Sequence, residues 1–151
     1  MLIGVISDTH GLMRPEALAA LHGVEHILHA GDVGDIAILK ALRKIAPVTA
    51  IRGNVDTSGA CAELPATDVV ELGDKLFYLV HSVDDLDIDP VAAGVAMVVS
   101  GHSHKPSISV KGDVVFFNPG SAGPRRFSLP VTAGFVTVGD GVEASVMELA
   151  V

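Results

Sequence analysis

MLIGVISDTH, residues 1–10, joins an apolar run directly to a polar cluster. The apolar residues 2–7 predict a strand that is buried on both faces, because such strands are near-continuous runs of aliphatic residues. Asp8, Thr9 and His10 follow at the carboxyl end of that strand. Open sheets bind their ligands beyond the carboxyl ends of their parallel strands. The stretch therefore predicts a buried strand with a reactive site at its end.

The same combination of an apolar strand and a polar cluster recurs along the chain. Strands are predicted at residues 25–29, 48–52, 75–80 and 95–100, and polar residues follow each of them. These further clusters are Gly31-Asp32, Gly53-Asn54-Val55-Asp56, His81 and Gly101-His102-Ser103-His104. Because parallel strands bring their carboxyl ends to one edge of a sheet, the clusters are expected to meet there.

The spacing of the remaining apolar residues predicts an α+β fold. Helices are predicted at residues 15–22 and 35–45, and strand–helix–strand units of this length favour parallel pairing. In the second half, turn signals predict three hairpins, at residues 69–81, 108–117 and 133–149. Asp89-Pro90 predicts a short capped helix near residues 89–93. Two packed sheets with helices outside them would bury both patterns.

Composition and charge restrict the class of protein. A chain of 151 residues with 49% hydrophobic and 19% charged residues fits one globular domain over residues 1–151. Cys61 is the only cysteine, which excludes an internal disulfide and favours the cytoplasm. Residues 1–6 lack the basic region of a signal peptide, and no apolar stretch is long enough to span a bilayer. The net charge of −8 argues against broad binding to membranes or nucleic acid.

The residue types in the clusters predict a metal site. Asp, Asn and His offer oxygen and imidazole nitrogen, which suit Mn, Fe, Zn or Ni better than Ca or Mg. No thiolate joins them, which argues against a closed structural zinc site. The candidate ligands are Asp8, His10, Asp32, Asn54, His81, His102 and His104. Seven ligands exceed the needs of one catalytic metal and suit two metals that share a bridge.

The motif order D-x-H, G-D, G-N-x-D, H and G-H-x-H resembles that of the calcineurin-like metallophosphoesterases. Chain length and the segment Asn118-Pro119-Gly120-Ser121 resemble their small single-domain phosphodiesterase branch. The resemblance spans residues 8–121 and implies a four-layer α/β/β/α sandwich of two mixed β-sheets flanked by helices, the metallo-dependent phosphatase fold. It further implies that Asp8, His10 and His104 bind one metal, that Asn54, His81 and His102 bind the other, and that Asp32 bridges both.

The resemblance also implies an activity, namely hydrolysis of small phosphate esters, above all diesters, by a hydroxide that two divalent transition metals activate. Manganese is the favoured metal, with iron, nickel or zinc as alternatives, and a homo-oligomer is compatible with the sequence. The alternative function is a non-catalytic metal-binding scaffold of the same fold, as in a retromer subunit of eukaryotes. The complete ligand set favours the enzyme. The acidic charge and the 4% aromatic content argue against a nuclease.

The sequence leaves the functional roles of three further sites undecided. Many relatives carry a general-acid His where this chain has Val55, which cannot transfer a proton. Arg125-Arg126 could bind a substrate phosphate, although a solvated pair is the more common explanation. His29 could support a ligand or simply pack in the core.

Overall fold

The computed structural model describes residues 1–151 as two five-stranded mixed sheets. In chain order the strands are β1 (Leu2–Ile6), β2 (His26–His29), β3 (Val48–Ala50), β4 (Thr67–Leu72), β5 (Lys75–Val80), β6 (Val95–Val99), β7 (Ser107–Lys111), β8 (Val114–Asn118), β9 (Thr132–Val138) and β10 (Val142–Glu148). The first sheet has the order β10-β9-β1-β2-β3, and the second has the order β4-β5-β6-β8-β7. The predicted α+β fold is therefore confirmed.

Strand β1 is the centre of the first sheet. It pairs in parallel with β2 and antiparallel with β9. Ile3 and Val5 point towards the second sheet, whereas Ile6 belongs to the cluster beneath the helices. This burial on both faces explains why residues 2–7 read as a continuous apolar run.

Two α-helices make the crossovers between the parallel strands β1, β2 and β3. Helix α1 (Pro15–Ala20) begins with the predicted proline. Helix α2 (Ile36–Arg43) is capped by Asp35, whose carboxylate accepts a hydrogen bond from the Ala37 N–H at 2.9 Å. Both helices are shorter than predicted, because the chain leaves helical geometry in turns before the next strand. No helix has the length and apolar character needed to cross a bilayer.

All three predicted hairpins are present, as the antiparallel pairs β4–β5, β7–β8 and β9–β10. Gly73 and Asp74, in the first turn, both have positive φ, of 56° and 68°. Gly112 and Asp113 repeat this conformation, at 55° and 66°. Two successive residues with positive φ form the turn that best matches the twist of paired strands. This explains why Gly-Asp marked these hairpins in the sequence.

The space between the sheets holds an apolar core. Phe77 and Phe117 are its largest fully buried side chains. They interlock with aliphatic residues from both sheets, namely Ile3, Val5, Leu28, Ile51, Leu79, Met97, Val99, Val136 and Val138. None of the predicted metal ligands contributes to this cluster. The packing of the sheets therefore depends on residues other than those of the site.

The outer faces of the two sheets are covered differently. Apolar residues of α1 and α2 pack on the first sheet. Leu86 and Ile88, which follow a 3₁₀ turn at Val83–Asp85, pack on the second. The short helix predicted near residues 89–93 is wrong: Asp89 caps a single turn, and Gly94, at φ 73°, ends it before β6 begins. The fourth layer is thus a loop with a 3₁₀ turn, thinner than the resemblance implied.

The contrast between neighbouring phenylalanines gives a test of this packing. Phe117→Ala should lower the free energy of unfolding by about 3–5 kcal/mol, because it leaves a cavity between the sheets. Phe116→Ala, one position away on the half-buried outer face, should cost clearly less. Chemical denaturation monitored by circular dichroism measures both. Equal losses in the two variants would contradict the assignment of the inner face.

Candidate metal centre

Loops from both sheets converge where the predicted polar clusters lie. The loops after β1, β2 and β3 supply Asp8, His10, Asp32 and Asn54. The loops after β5 and β6 supply His81, His102 and His104. The site therefore straddles the junction between the sheets, and it forms only when they are packed together.

Five of the predicted ligands form a compact cluster. The Asp8 Oδ1 atom lies 3.4 Å from His104 Nε2 and 3.8 Å from the Nε2 atoms of His10 and His81. The Asp32 Oδ2 atom lies 3.2 Å from His81 Nε2 and 3.4 Å from His10 Nε2. Two triads result, Asp8–His10–His104 and Asp8–Asp32–His81, with the ligand atoms of each within 4.8 Å of one another.

The other two predicted ligands lie at the periphery of the cluster. Asn54 is exposed and lines, with His81 and Arg52, a cavity of about 390 Å³. His102 is also exposed, and its ring meets the ring of His81 edge-on, with centroids 5.2 Å apart. Both side chains thus adjoin the triad that contains His81, without belonging to it.

Unpaired buried atoms show that a cation fits the cluster. The Ser7 hydroxyl and the His102 N–H donate to Asp8 Oδ2, at 2.6 and 3.0 Å. Asp8 Oδ1 and His81 Nε2 are buried without a hydrogen-bond partner. Buried polar atoms are nearly always paired, so such exceptions indicate a missing ligand. Carboxylate oxygens and imidazole nitrogens that converge on one space are the donors that divalent transition metals take.

The electrostatics of the metal-free cluster show what a cation would relieve. Burial raises the pKa of Asp8, against the opposing effects of Ser7, His81 and His104. For Asp32, burial also acts upwards, but the His81 ring 3.2 Å away and the hydrogen bond from the Val55 N–H hold its pKa well below its usual value. Burial would lower the pKa of His81, but the nearby Asp32 carboxylate and the hydrogen bond to the Ala30 carbonyl raise it. A proton and a metal ion would therefore compete for His81, because a histidine must be deprotonated to bind a metal.

Contacts outside the cluster fix the orientation of its rings. The Nδ1 atom of His81 lies 2.8 Å from the Ala30 carbonyl oxygen, to which it donates, so Nε2 points at the carboxylates. Metal-binding histidines typically use one nitrogen in this way to orient the other. The Val55 N–H donates to Asp32 Oδ1 at 3.0 Å, which leaves Oδ2 to face the imidazoles.

The backbone at the site is strained. Asp8, His10, Asp32, His102 and His104 all have positive φ, between 47° and 72°. Non-glycine residues rarely adopt this conformation, although Asp and His tolerate it better than most. Such strain persists only where the surrounding structure enforces it, and it concentrates at functional sites. Nothing in the sequence pattern predicted it.

Asp56 is the most important supporting residue that the sequence did not assign. Its buried carboxylate accepts hydrogen bonds from the N–H groups of Val33, Gly34 and Gly53, at 2.9–3.0 Å. It thereby holds the loop after β2 against the loop after β3. The sequence did contain an indication of this role, because Asp56 is the last residue of the G-N-x-D motif.

His29 supports the site rather than merely filling the core. The Gly31 N–H donates to its Nδ1 at 3.1 Å, so Nε2 carries the proton and donates to the Thr9 hydroxyl oxygen at 3.0 Å. The Thr9 hydroxyl in turn donates to the Val33 carbonyl. Complete burial lowers the pKa of His29 to about 4. The neutral ring therefore links the loops that carry Asp8 and Asp32.

The segment after β8 supports the remaining loops. The Asn118 amide donates to the Gly101 carbonyl at 2.9 Å and to the Ser103 hydroxyl oxygen at 3.1 Å. The Ser121 hydroxyl donates to the Asp8 carbonyl at 3.0 Å. In the sequence, the Asn-Pro-Gly-Ser segment was only a feature shared with a known family. These contacts show that it holds the loops of the site in place.

Gly53 and Gly101 allow the loops to approach the carboxylates. A Cβ atom on Gly53 would collide with the Asp32 side chain and backbone, and one on Gly101 would collide with Ser7 and Asp8. Each glycine directly precedes a predicted ligand. The lack of a side chain at Gly53 therefore lets the loops after β2 and β3 meet, and at Gly101 it lets the two sheets close around the site.

Comparison with known proteins identifies the family. The profile of the calcineurin-like phosphoesterase superfamily domain matches residues 1–141. A probable metallophosphoesterase of Methanothermobacter thermautotrophicus is 35% identical over 159 aligned residues, which cover 97% of this chain and 92% of the relative. The chain belongs to the calcineurin-like phosphoesterase superfamily, as its motifs predicted.

Solved structures agree on the fold. A structure described as a novel archaeal phosphodiesterase has a TM-score of 0.80 and 24% identity, and the match covers 97% of this chain and all of that one. Vps29 of Entamoeba histolytica in complex with Zn²⁺ has a TM-score of 0.75 and 23% identity, with 98% and 99% of the two chains covered. The two-sheet fold is thus shared by proteins whose descriptions differ.

The neutral state of His29 predicts a pH dependence of stability. Between pH of about 6.5 and about 4 the unfolded chain takes up a proton that folded His29 resists, so acidification through this window lowers the free energy of unfolding. The pKa difference corresponds to about 3 kcal/mol. His29→Asn, which can still accept from Gly31, should remove most of this slope, whereas exposed His22→Asn should not. Urea denaturation of metal-free protein between pH 4 and 7 measures it; parallel slopes in all three proteins would refute the prediction.

Proposed function

We propose that this chain is a phosphodiesterase that uses two divalent metal ions. The observation that carries the proposal is the cluster in which two buried carboxylates, Asp8 and Asp32, face the rings of His10, His81 and His104 in two overlapping triads. Within this cluster, Asp8 Oδ1 and His81 Nε2 are buried without hydrogen-bond partners. The family is one of phosphoesterases, and a structural neighbour is described as a phosphodiesterase. A small diester is therefore the proposed substrate.

The proposed roles follow the two sets of ligands. Asp8, His10 and His104 hold one ion, whereas His81, with Asn54 and His102 from the periphery, holds the other. Asp32 bridges them. Its Oδ2 atom lies 3.4 Å from His10, a member of the first set, and 3.2 Å from His81, a member of the second, which supports the bridging role. Bound ions would lower the pKa of a water molecule and neutralise charge on the phosphate.

The residues of the chain contribute positioning and charge. Asp8 is fully buried and is held by Ser7 and by the His102 N–H, so its free oxygen cannot turn away from the cluster. His10 remains partly exposed, which leaves room for a substrate on the solvent side. Strain and hydrogen bonds thus fix the ligands before a substrate arrives, and such preorganisation is where much of enzymatic rate enhancement originates.

A non-catalytic scaffold of this fold is the less favoured alternative. All seven candidate ligands are present, and five converge with unpaired buried atoms among them. Carboxylate and imidazole donors suit manganese, iron, nickel or zinc, and manganese is the ion we propose. We also propose that residues 1–151 act as one domain in the cytoplasm, where the free Cys61 would stay reduced.

Removing the proposed bridge tests the mechanism. Asp32→Ala should lower kcat on bis(p-nitrophenyl) phosphate by at least about 100-fold, because one substitution removes a ligand from both ions. His22→Ala, on the exposed end of the first helical region, should keep wild-type activity. Elemental analysis of manganese-saturated wild type should give two ions per chain. One ion per chain at saturation, or an active Asp32→Ala variant, would overturn the two-metal proposal.

Val55 provides a second test, because the resemblance places a general acid at this position in many relatives. Its side chain is 47% exposed beside Asn54, so a larger ring can be accommodated. Val55→His should increase turnover of diesters with alkoxide leaving groups, by a fraction of the roughly 10²–10⁴-fold that an optimised general acid supplies. Activated aryl diesters should respond little, since their leaving groups need no proton. An equal response of both substrate types at equal metal occupancy would show that position 55 does not face the leaving group.

A further inference from the structure

Beside the metal cluster lies a basic cavity that the proposed mechanism does not use. Its volume is about 280 Å³, and His10, His104, Pro124, Arg125 and Arg126 line it. Two of these residues are predicted ligands of the first ion, so a group bound in this cavity would touch the site. The remaining lining comes from the loop between Ser121 and β9, which we call the arginine loop (residues 124–129).

The two arginines of this loop differ in their contacts. Arg125 donates to the carbonyl oxygens of Leu129 and Val151, at 3.2 and 3.4 Å, and so helps to close the loop. The Arg126 side chain makes no hydrogen bond or salt bridge within the protein; its guanidinium lies 5.9 Å from the centre of the Phe127 ring. In a chain of net charge −8, an unpaired guanidinium beside predicted metal ligands is suited to an anionic ligand.

Phe127 is the unusual member of the loop. It is 88% exposed, more than any other large apolar side chain, and its φ is 52°. A bulky residue rarely adopts this left-handed conformation. Exposure of a whole aromatic ring and backbone strain are both unfavourable, and both occur at the residue next to Arg126, which lines the cavity. Strain of this kind is typical of ligand clamps.

The opposite side of the cluster has a different character. The cavity that contains Asn54 and His81 is also lined by Asp85 and Asp87, which would repel an anionic extension of the substrate. Its one arginine, Arg52, already donates to the Leu64 carbonyl at 2.7 Å. Only the side of the arginine loop offers a positive charge together with a free aromatic face. A substrate with a ring attached to its phosphate would therefore be oriented with the ring towards Phe127.

We propose that the arginine loop selects phosphate esters that carry an aromatic ring, either a nucleobase or a simple aryl group. Arg126 contacts a phosphate oxygen, and the face of Phe127 packs against the ring of the ester. Stacking on an aromatic side chain accepts any flat ring, so it would define a class of substrates rather than one compound. This inference rests on the proposed phosphodiesterase function, because it places the phosphate at the metal cluster.

Calorimetric titration with monoesters, the products of diester cleavage, tests the proposal on manganese-loaded protein. AMP is compared with ribose 5-phosphate, and phenyl phosphate with methyl phosphate. In the wild type each aromatic ligand should bind about fivefold or more tightly than its partner. Phe127→Ala should abolish that preference, whereas Val110→Ala, at another exposed apolar site, should retain it. Arg126→Gln should weaken all four ligands about 2- to 10-fold, and exposed Arg43→Gln should not.

The outcomes separate this proposal from the one on which it rests. If Phe127→Ala loses only the preference for AMP over ribose 5-phosphate, the loop is assigned to nucleotides. If it loses only the preference for phenyl phosphate over methyl phosphate, the loop is assigned to simple aryl esters. Equal binding of aromatic and non-aromatic ligands to the wild type overturns the inference and leaves the metal-dependent activity intact. A preference that survives in Phe127→Ala, or binding that Arg126→Gln leaves unchanged, overturns it as well. Failure of all four ligands to bind, with bis(p-nitrophenyl) phosphate still hydrolysed, overturns this inference alone, whereas loss of that hydrolysis overturns both proposals.

Discussion

A carboxylate with one satisfied and one bare oxygen is the constraint on which the whole site depends. Asp8 is fully buried, and Ser7 and the His102 backbone hold its outer oxygen. The inner oxygen faces imidazoles and has no partner. A buried anion in this position is costly unless a cation compensates for it. The strained loops and the glycines that admit them follow from the need to bring ligands to this oxygen.

The site depends on the packed sheets, whereas the apolar packing of the sheets does not depend on the site. Ligands come from the loops of both sheets, so the cluster cannot assemble before the sheets pack. The packing itself rests on an apolar layer around Phe77 and Phe117, to which no ligand contributes. The same frame can therefore persist with its chemistry altered. This independence fits a fold that solved structures share between a protein described as a phosphodiesterase and Vps29.

Much of this could be predicted, because the deciding signals are local. Apolar runs gave the strands, Gly-Asp pairs gave two of the hairpins, and polar residues after strands gave the candidate ligands. The thin fourth layer was missed, since a capped turn at Asp89 and a short helix begin with the same residues. Asp56 was not assigned a role and the role of His29 stayed open, because their partners Val33 and Thr9 are distant in sequence and meet them only after folding. Backbone strain likewise has no sequence signature beyond tolerant residue types.

The left-handed backbone at five of the candidate ligands also limits how this site can change over evolutionary time. A β-branched or large aliphatic replacement would meet a steric penalty there before any loss of metal binding mattered. Glycine, asparagine, aspartate and histidine are the residues that escape it most readily. Substitutions that the backbone tolerates are therefore mostly to residues that can bind a metal themselves, or to glycine. A lineage that abandoned catalysis would keep traces of the original pattern, and one that regained it would need few substitutions.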